Sequence, residues 1–144
     1  MSRFGITLGD PCGIGVEVTL KALQAKQEYQ KDALLFGTLS LLEYYAKRLG
    51  YAMHFHQILS IEEWDDKAIN VYDPLPVVRE EIEIGKVTKL GGEIAFLSVK
   101  SAIEFALRGD IASVVTAPLN KEALHLAGHK FAGHTEIFGA YTHG

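Results

Sequence analysis

The chain alternates short apolar runs with longer amphipathic segments, and this alternation constrains its fold more than any other feature. The apolar runs are flanked by glycine or proline and are typical of strands, whereas apolar residues three and four positions apart are typical of helices. Repeated strand–helix units favour an α/β fold in three layers, α/β/α, with helices on both faces of a mainly parallel sheet. Strands are predicted at Phe4–Leu8, Ala33–Phe36, Ala52–Leu59, Asn70–Asp73 and Ile111–Val115, and helices at Val16–Lys26, Ser40–Leu49, Glu93–Arg108 and Lys121–Ala127.

The segment from Val114 to Phe138 contains the candidate site residues. It begins in a strand that we expect to be buried, and Pro118 ends that strand because proline has no N–H for the hydrogen-bond ladder. Asn120 is predicted to cap the short helix that follows, and Gly128 is predicted to end this helix in the left-handed conformation.

His134, Thr135 and Glu136 follow Gly133 in what the sequence predicts to be a glycine-bearing turn. Open parallel sheets bind their ligands outside the carboxyl ends of their strands, which is where this turn would lie. A titratable ring, a hydroxyl group and a carboxylate together suit a small polar substrate. We therefore predict that His134 and Thr135 bind substrate, with His134 in an exposed loop and able, when protonated, to donate a charge-assisted hydrogen bond.

A zinc site is an alternative for the histidines of this segment. His125 and His129 are four residues apart and would share one face of a continuous helix, where they could bind zinc together with His134. Gly128 lies between the first two and indicates that the helix has already ended, which weakens this hypothesis. Each histidine taken singly is also typical of a surface or hydrogen-bonded structural residue.

A second glycine-rich loop, from Gly9 to Gly15, joins the first predicted strand to the first predicted helix. A strand, a glycine turn and a helix in this order can present backbone N–H groups to an anion. The loop lacks the third glycine of a GxGxxG pattern, and no P-loop lysine follows. Tight packing therefore explains its glycines as well as phosphate binding does, and we expect a structural role for Asp10.

Composition narrows the class of protein and its partners. The chain has 144 residues, of which 48% are hydrophobic and 22% are charged, as is typical of one globular domain. Its net charge is −4 and no basic block is present, so neither nucleic acid nor an anionic membrane is expected as a partner. No apolar run approaches the roughly 18 residues of a membrane span. The single cysteine, Cys12, cannot form an internal disulfide, which favours a reducing compartment, and we predict a cytoplasmic location.

Two segments carry a resemblance to a known family. LGDPCGIGVEV (residues 8–18) and VTAPLNKEALHLAGHKFAGHTEIF (residues 115–138) closely resemble the 4-hydroxythreonine-4-phosphate dehydrogenase family of pyridoxal phosphate biosynthesis. The second segment is long and specific, and the first stands in the right order at a suitable distance. The chain departs from the family pattern at Cys12, where alanine is usual, and at Val16, where proline is usual.

The resemblance implies a two-domain α/β/α enzyme related to the isocitrate and isopropylmalate dehydrogenases, of which residues 1–144 would be the amino-terminal part. Such enzymes are homodimers that oxidise the secondary alcohol of a small phosphorylated substrate, 4-phosphohydroxy-L-threonine, with NAD or NADP. The resulting β-keto acid then loses carbon dioxide. The resemblance also implies a divalent metal (zinc, magnesium or cobalt) that acts as a Lewis acid.

Residue roles follow from the same resemblance. The family's substrate-binding His-Thr pair falls on His134 and Thr135. The family's metal-binding histidines and most of its cofactor contacts lie beyond Gly144, so we assign no metal ligand and no catalytic residue in this chain and expect it to be inactive by itself. Lys121 either orients a carboxylate or phosphate of the ligand or caps its helix beside Glu122.

Other functions stay open. Relatives act on threonate or erythronate 4-phosphate or on aromatic dihydrodiols, so the fold does not determine the substrate. The family's active site lies in a cleft between its two domains, so a function of a different class is a non-catalytic binding or assembly domain that keeps a dimer surface and half of that cleft. Turnover of the phosphorylated substrate with NAD distinguishes an enzyme from a binding domain, and metal analysis of the purified chain tests the zinc site.

Overall fold

Among the described residues of the computed structural model, five strands form one parallel sheet with the order β3-β4-β2-β1-β5. The structure describes residues 2–131 and 133–142. None of the described helices is long and apolar enough to cross a membrane. The strands are β1 (Phe4–Thr7), β2 (Ala33–Phe36), β3 (Phe55–Gln57), β4 (Ile69–Tyr72) and β5 (Ser113–Thr116). The helices are α1 (Gly15–Ala25), α2 (Leu39–Leu49), α3 (Lys89–Leu107), α4 (Lys121–Leu126) and α5 (His134–Thr142), with 3₁₀ turns at Gln27–Asp32, Ile61–Glu63 and Arg79–Glu81.

The side chains of β2 show why the sheet has helices on both faces. All four residues of the strand are buried, and alternate residues point to opposite faces. Ala33 and Leu35 belong to an apolar cluster with residues of α1 and α2. Leu34 and Phe36 belong to a second cluster with Phe105 of α3. The three-layer α/β architecture predicted from the sequence is therefore confirmed.

The direction in which the chain crosses the sheet reverses at β1. From β1 the chain passes through α1 to β2 on one side, and later it passes through α3 to β5 on the other side of β1. Because parallel crossover connections are right-handed, this reversal places α1 and α3 on opposite faces of the sheet. It also leaves a crevice outside the carboxyl ends of β1 and β5, where Thr7 and Thr116 are register partners.

Helix α3 begins four residues before Glu93, which the sequence predicts as its start. Thr88 caps the helix, and its side-chain oxygen accepts a hydrogen bond from the N–H of Gly91 (2.9 Å). Gly91 and Gly92 thus lie inside the helix rather than before it. A Cβ atom at Gly92 would lie 1.9 Å from the carbonyl oxygen of Ala123, so the missing side chain lets α3 and α4 pack closely.

Strand β5 differs from the predicted strand Ile111–Val115 in position and in burial. It begins two residues later and pairs with β1 alone among the described strands, so it forms an edge of the sheet. Ile111 is buried outside the strand, whereas Val115 is 55% exposed. A short apolar run predicts a strand, but its burial depends on what packs beside it, and the run itself does not carry this information.

Most other predicted elements are confirmed with boundaries shifted by one or two residues, while β3 is much shorter than the predicted Ala52–Leu59. Gly50, which follows α2, and Gly128, which follows α4, have φ angles of 72° and 91°. These left-handed conformations are the ones expected of glycines that end helices.

Candidate functional site

The loops that follow β1 and β5 meet at the carboxyl end of the sheet. The N–H of Ala117 donates a hydrogen bond to the carbonyl oxygen of Thr7 (2.9 Å). Gly9 has a φ of 75°, and a Cβ atom there would lie 2.3 Å from the carbonyl oxygen of Pro118. Glycine is the residue that permits both this conformation and this close approach. Tight packing, one of the two explanations that the sequence leaves open for the first glycine loop, therefore accounts for Gly9.

Asp10 stabilises the same loop from inside. Its Oδ1 atom accepts a hydrogen bond from the N–H of Cys12 (2.8 Å), and the residue is 6% exposed. Burial raises the pKa of the Asp10 carboxyl group, and the bond from Cys12 partly opposes this. The Cys12 thiol is also buried, 3.5 Å from Oγ1 of Thr88, and burial raises its pKa. Cys12 is thus a buried free cysteine whose raised pKa disfavours the reactive thiolate, and the hydrogen bond from Cys12 gives Asp10 the structural role that we predicted.

His134 is the first residue of α5 and is partly buried, so the prediction of an exposed loop is wrong in both respects. Helix α5 is held by Ile137, which is fully buried in one apolar cluster with Phe96 of α3. The imidazole ring of His134 makes a hydrogen bond with the backbone of Ala117, directly after β5. This contact places the start of α5 at the carboxyl ends of β1 and β5.

The ring of His134 has one nitrogen that the described residues leave without a partner. This atom, Nε2, is buried. Burial lowers the pKa of His134 below its ordinary value of 6.5, and the hydrogen bond to Ala117 partly opposes this. The environment therefore favours a neutral ring, whereas a charge-assisted bond would need a protonated one. A ring that donates through Nδ1 to the Ala117 carbonyl keeps a lone pair on Nε2, which can accept a hydrogen bond from a ligand hydroxyl group.

Three further residues are near His134 or Ala117 in the sequence and could belong to the same site. Thr135 follows His134 in the first turn of α5 and is exposed, so its hydroxyl group is accessible to a ligand. Asn120 caps α4 as predicted, because its side-chain oxygen accepts a hydrogen bond from the N–H of Ala123 (2.9 Å). Lys121 is exposed and forms no ion pair with the described residues, which leaves its ammonium group available to an anion.

The three histidines of the zinc hypothesis make separate contacts. Nε2 of His125 lies 3.3 Å from the carbonyl oxygen of Phe131, and Nε2 of His129 lies 2.9 Å from Oε2 of Glu93. No group of three or more histidine, cysteine, aspartate or glutamate side chains in the described part of the chain could hold a metal ion. The zinc module is therefore not supported. The divalent metal that the family resemblance implies likewise finds no ligand set among these residues.

An apolar groove beside the crevice is a feature that the sequence analysis missed. It has a volume of about 470 Å³ and lies between α1 and the same face of β1 and β5. Ile14 and Val18, four residues apart, are exposed on its α1 side, and Val115 lies on its strand side. A signal was present in the sequence, because Ile14, just before α1, and Val18, within it, are apolar but lie off the buried stripe formed by Val16 and Leu20.

Comparison with known proteins decides the family. A family model described as "Pyridoxal phosphate biosynthetic protein PdxA" matches residues 29–144. The chain belongs to the PdxA family. This confirms the resemblance carried by the two glycine-rich segments. A family match does not by itself assign a role to any residue of this chain.

PdxA relatives align with nearly the whole chain. The D-threonate 4-phosphate dehydrogenase of Salmonella typhimurium is 41% identical over 141 residues, which are 96% of this chain and 43% of that protein. A solved structure of a candidate 4-hydroxythreonine-4-phosphate dehydrogenase from Salmonella typhimurium has a TM-score of 0.89 at 38% identity and covers 99% of this chain and 46% of that one. The enzyme of that name from Burkholderia phymatum gives a TM-score of 0.88 at 34% identity, with 99% and 44% covered.

Two facts follow from these alignments. The chain spans less than half the length of the relatives that it matches. Its α/β fold is the isocitrate dehydrogenase-like fold of the PdxA dehydrogenases, as the resemblance implied.

Proposed function

We propose that this chain is the amino-terminal part of a dehydrogenase that oxidises the secondary alcohol of a small 4-phosphorylated hydroxy acid. Its PdxA relatives are named as dehydrogenases, which supports an oxidoreductase of this general kind. The observation that carries the proposal is the buried Nε2 atom of His134, which has no partner among the described residues and belongs to a ring hydrogen-bonded to Ala117, directly after β5. Buried polar atoms are nearly always paired in folded proteins, and a ligand hydroxyl group at this position would pair with Nε2.

In this proposal His134 binds and orients the alcohol. With Nδ1–H donated to Ala117, Nε2 accepts a hydrogen bond from a substrate hydroxyl group and fixes its direction. The hydroxyl group of Thr135, one residue later, donates to a phosphate or carboxylate oxygen. Both residues lie in the first turn of α5, where free N–H groups and the helix dipole favour a negatively charged ligand. NAD or NADP accepts the hydride when it is bound, and decarboxylation of the β-keto acid completes the proposed reaction.

The rest of the active site would come from residues outside 1–144. Since the described residues offer no ligand set for a divalent metal, they supply the substrate-orienting side of the site. We therefore propose that the chain by itself binds the phosphorylated ligand without turning it over. By analogy with the family, we propose that the protein forms a homodimer and is located in the cytoplasm.

The substrate is proposed from the names of the relatives. Curated proteins that are 41%, 38% and 36% identical to this chain are named as D-threonate 4-phosphate dehydrogenases, some of them provisionally. This favours D-threonate 4-phosphate over 4-phosphohydroxy-L-threonine, which the sequence resemblance implied and which the names of the solved structures favour. Both substrates carry a secondary alcohol and a 4-phosphate, so His134 and Thr135 could serve either.

The test compares the two substrates in one enzyme. A chimaera in which residues 1–144 replace the matching part of the Salmonella typhimurium relative is assayed with each substrate, a divalent metal and NAD or NADP, and reduced nicotinamide is measured. We expect turnover of D-threonate 4-phosphate by the chimaera and none by the 144-residue chain. If the chimaera turns over 4-phosphohydroxy-L-threonine more efficiently, that compound replaces D-threonate 4-phosphate as the proposed substrate. A folded chimaera with no turnover of either would contradict the proposed function.

A further inference from the structure

The connection between α4 and α5 is held to α3 by one histidine. Nε2 of His129 lies 2.9 Å from Oε2 of Glu93, in the first turns of α3. The imidazole ring is also stacked on Phe96, one turn further along α3, with ring centroids 3.7 Å apart and planes inclined by 9°. The two contacts fix both the position and the plane of the ring. We call His129, Glu93 and Phe96 the His129 clamp.

The described part of the connection is ordered around the clamp. Its first residues are fixed by the helix-ending turn at Gly128 and by a hydrogen bond from the N–H of His129 to the carbonyl oxygen of Leu124 (2.9 Å). Phe131 lies near Phe96 with nearly parallel rings at 5.9 Å, and Tyr141 of α5 meets the same ring at 6.0 Å. Phe96 thus contacts α5 as well as the connection that leads to it.

The connection ends at the candidate site, because His134 is the fifth residue after His129 and opens α5. The ring of His134 must stay against the backbone of Ala117 for its free nitrogen to remain buried just after β5. Helix α5 itself is short, with nine residues, and Ile137 is its one fully buried residue among those described. The start of α5 therefore depends on the segment that precedes it.

We propose that His129 is a positioning residue for the candidate site, because its clamp on α3 holds the α4–α5 connection in the place that keeps His134 against Ala117. His129 acts through His134 and does not itself touch the ligand. The inference rests on the proposed function only where it takes His134 to bind the substrate. The position itself can be measured without any substrate.

The experiment follows the His134 ring by NMR in the 144-residue chain. Three variants separate the parts of the clamp: His129→Ala removes both contacts, His129→Phe keeps the stack on Phe96, and Glu93→Gln removes the charge from the hydrogen-bond partner. His125→Ala is the matched control, since this neighbouring histidine contacts the connection itself, at the carbonyl oxygen of Phe131, and is not bonded to Glu93 or stacked on Phe96. The pKa of His134 and the free energy of unfolding are measured for each.

We expect His129→Ala to raise the pKa of His134 towards 6.5, because the ring loses the burial that lowers it. The amide signals of His134 and Thr135 should shift with it. His129→Phe and Glu93→Gln should give smaller shifts of the same sign, and His125→Ala should give none.

A purely structural role gives a different pattern. Stability would then fall in His129→Ala while the pKa and signals of His134 stayed as in the wild type, and this result would overturn the inference. If His129→Ala does not fold, Glu93→Gln decides in its place, and an unchanged His134 pKa in that variant overturns the inference. Failure of the dehydrogenase assay would leave all of these measurements unaffected, so the two failures are distinguishable.

Discussion

Gly92→Ala should destabilise the protein, although alanine forms helices better than glycine. A Cβ atom at position 92 would lie 1.9 Å from the carbonyl oxygen of Ala123 and 2.3 Å from its carbonyl carbon. Non-bonded atoms need about 3.5 Å, so α4 would have to move away from α3 by roughly 1.5 Å. The clashing atoms of α4 belong to the backbone, and no side-chain rotation can relieve the contact.

The expected magnitude follows from two opposing effects. Moving α4 loosens the packing of Leu124, which is fully buried in the cluster with Phe96 and Ile137. Overpacking of this kind costs about 1–3 kcal/mol, whereas glycine to alanine inside a helix gains roughly 0.5–1 kcal/mol. We expect a net loss of about 1–2 kcal/mol in the free energy of unfolding, or roughly 3–8 °C in Tm for a chain of this size.

Urea unfolding followed by circular dichroism measures this loss. Gly139→Ala is the control, because Gly139 also lies inside a helix, α5, but a Cβ atom there meets no other atom within 4 Å. It should be neutral or more stable than the wild type by up to about 1 kcal/mol. If Gly92→Ala is as stable as the wild type while Gly139→Ala behaves as expected, the close approach of α3 and α4 is refuted.

Two further predictions concern the site. The folded chain lowers the pKa of His134, so the unfolded chain takes up the proton more readily, and stability should fall as the pH falls through 6.5 towards that lower value. Urea midpoints measured across this range should show the fall in the wild type, and His134→Asn should lack this component; an equal fall in both would contradict the assignment. Gly9→Ala should lose about 1–3 kcal/mol, because φ is 75° and the added Cβ would lie 2.3 Å from Pro118 O. Gly13→Ala in the same loop, where the Cβ would meet only Asp10 O at 3.4 Å, should change stability little, and equal losses in the two variants would contradict the packing argument.

Local structure could be predicted from the sequence where its determinants are local. The Asn120 side chain caps α4 by bonding an N–H three residues away, and Gly50 and Gly128 end helices through their own backbone freedom. The strand Ala33–Phe36 was predictable because an unbroken apolar run between turn signals suits a strand that is covered on both faces.

The errors arise where distant segments meet. A glycine pair in the sequence indicates a break before a helix, whereas Gly92 lies inside α3 and its missing side chain makes room for the backbone of Ala123. The exposure of Val115 depends on what covers β5, which its own residues do not encode. Likewise, the glycine before His134 predicts an exposed turn. The ring is instead partly buried against Ala117, a residue 17 positions away in the sequence.

The sequence named candidate residues, whose role stays a prediction, but it did not describe their surroundings. His134 and Thr135 were assigned through a family motif, and the structure places both at the start of α5. The motif carried no information on protonation. The lowered pKa of His134 and its unpartnered nitrogen both follow from the burial of the ring beside Ala117, which only the three-dimensional arrangement shows.

The central claim is that His134 binds substrate through Nε2 at the crevice between β1 and β5. The most direct test is the catalytic efficiency, kcat/KM, of the chimaera for D-threonate 4-phosphate, with His134→Ala compared against His125→Ala. A hydrogen bond between a neutral ring and a hydroxyl group contributes about 0.5–1.5 kcal/mol, so His134→Ala should lower kcat/KM by roughly 2- to 13-fold. His125→Ala should leave it unchanged. An unchanged kcat/KM in His134→Ala, or equal losses in the two variants, would contradict the account.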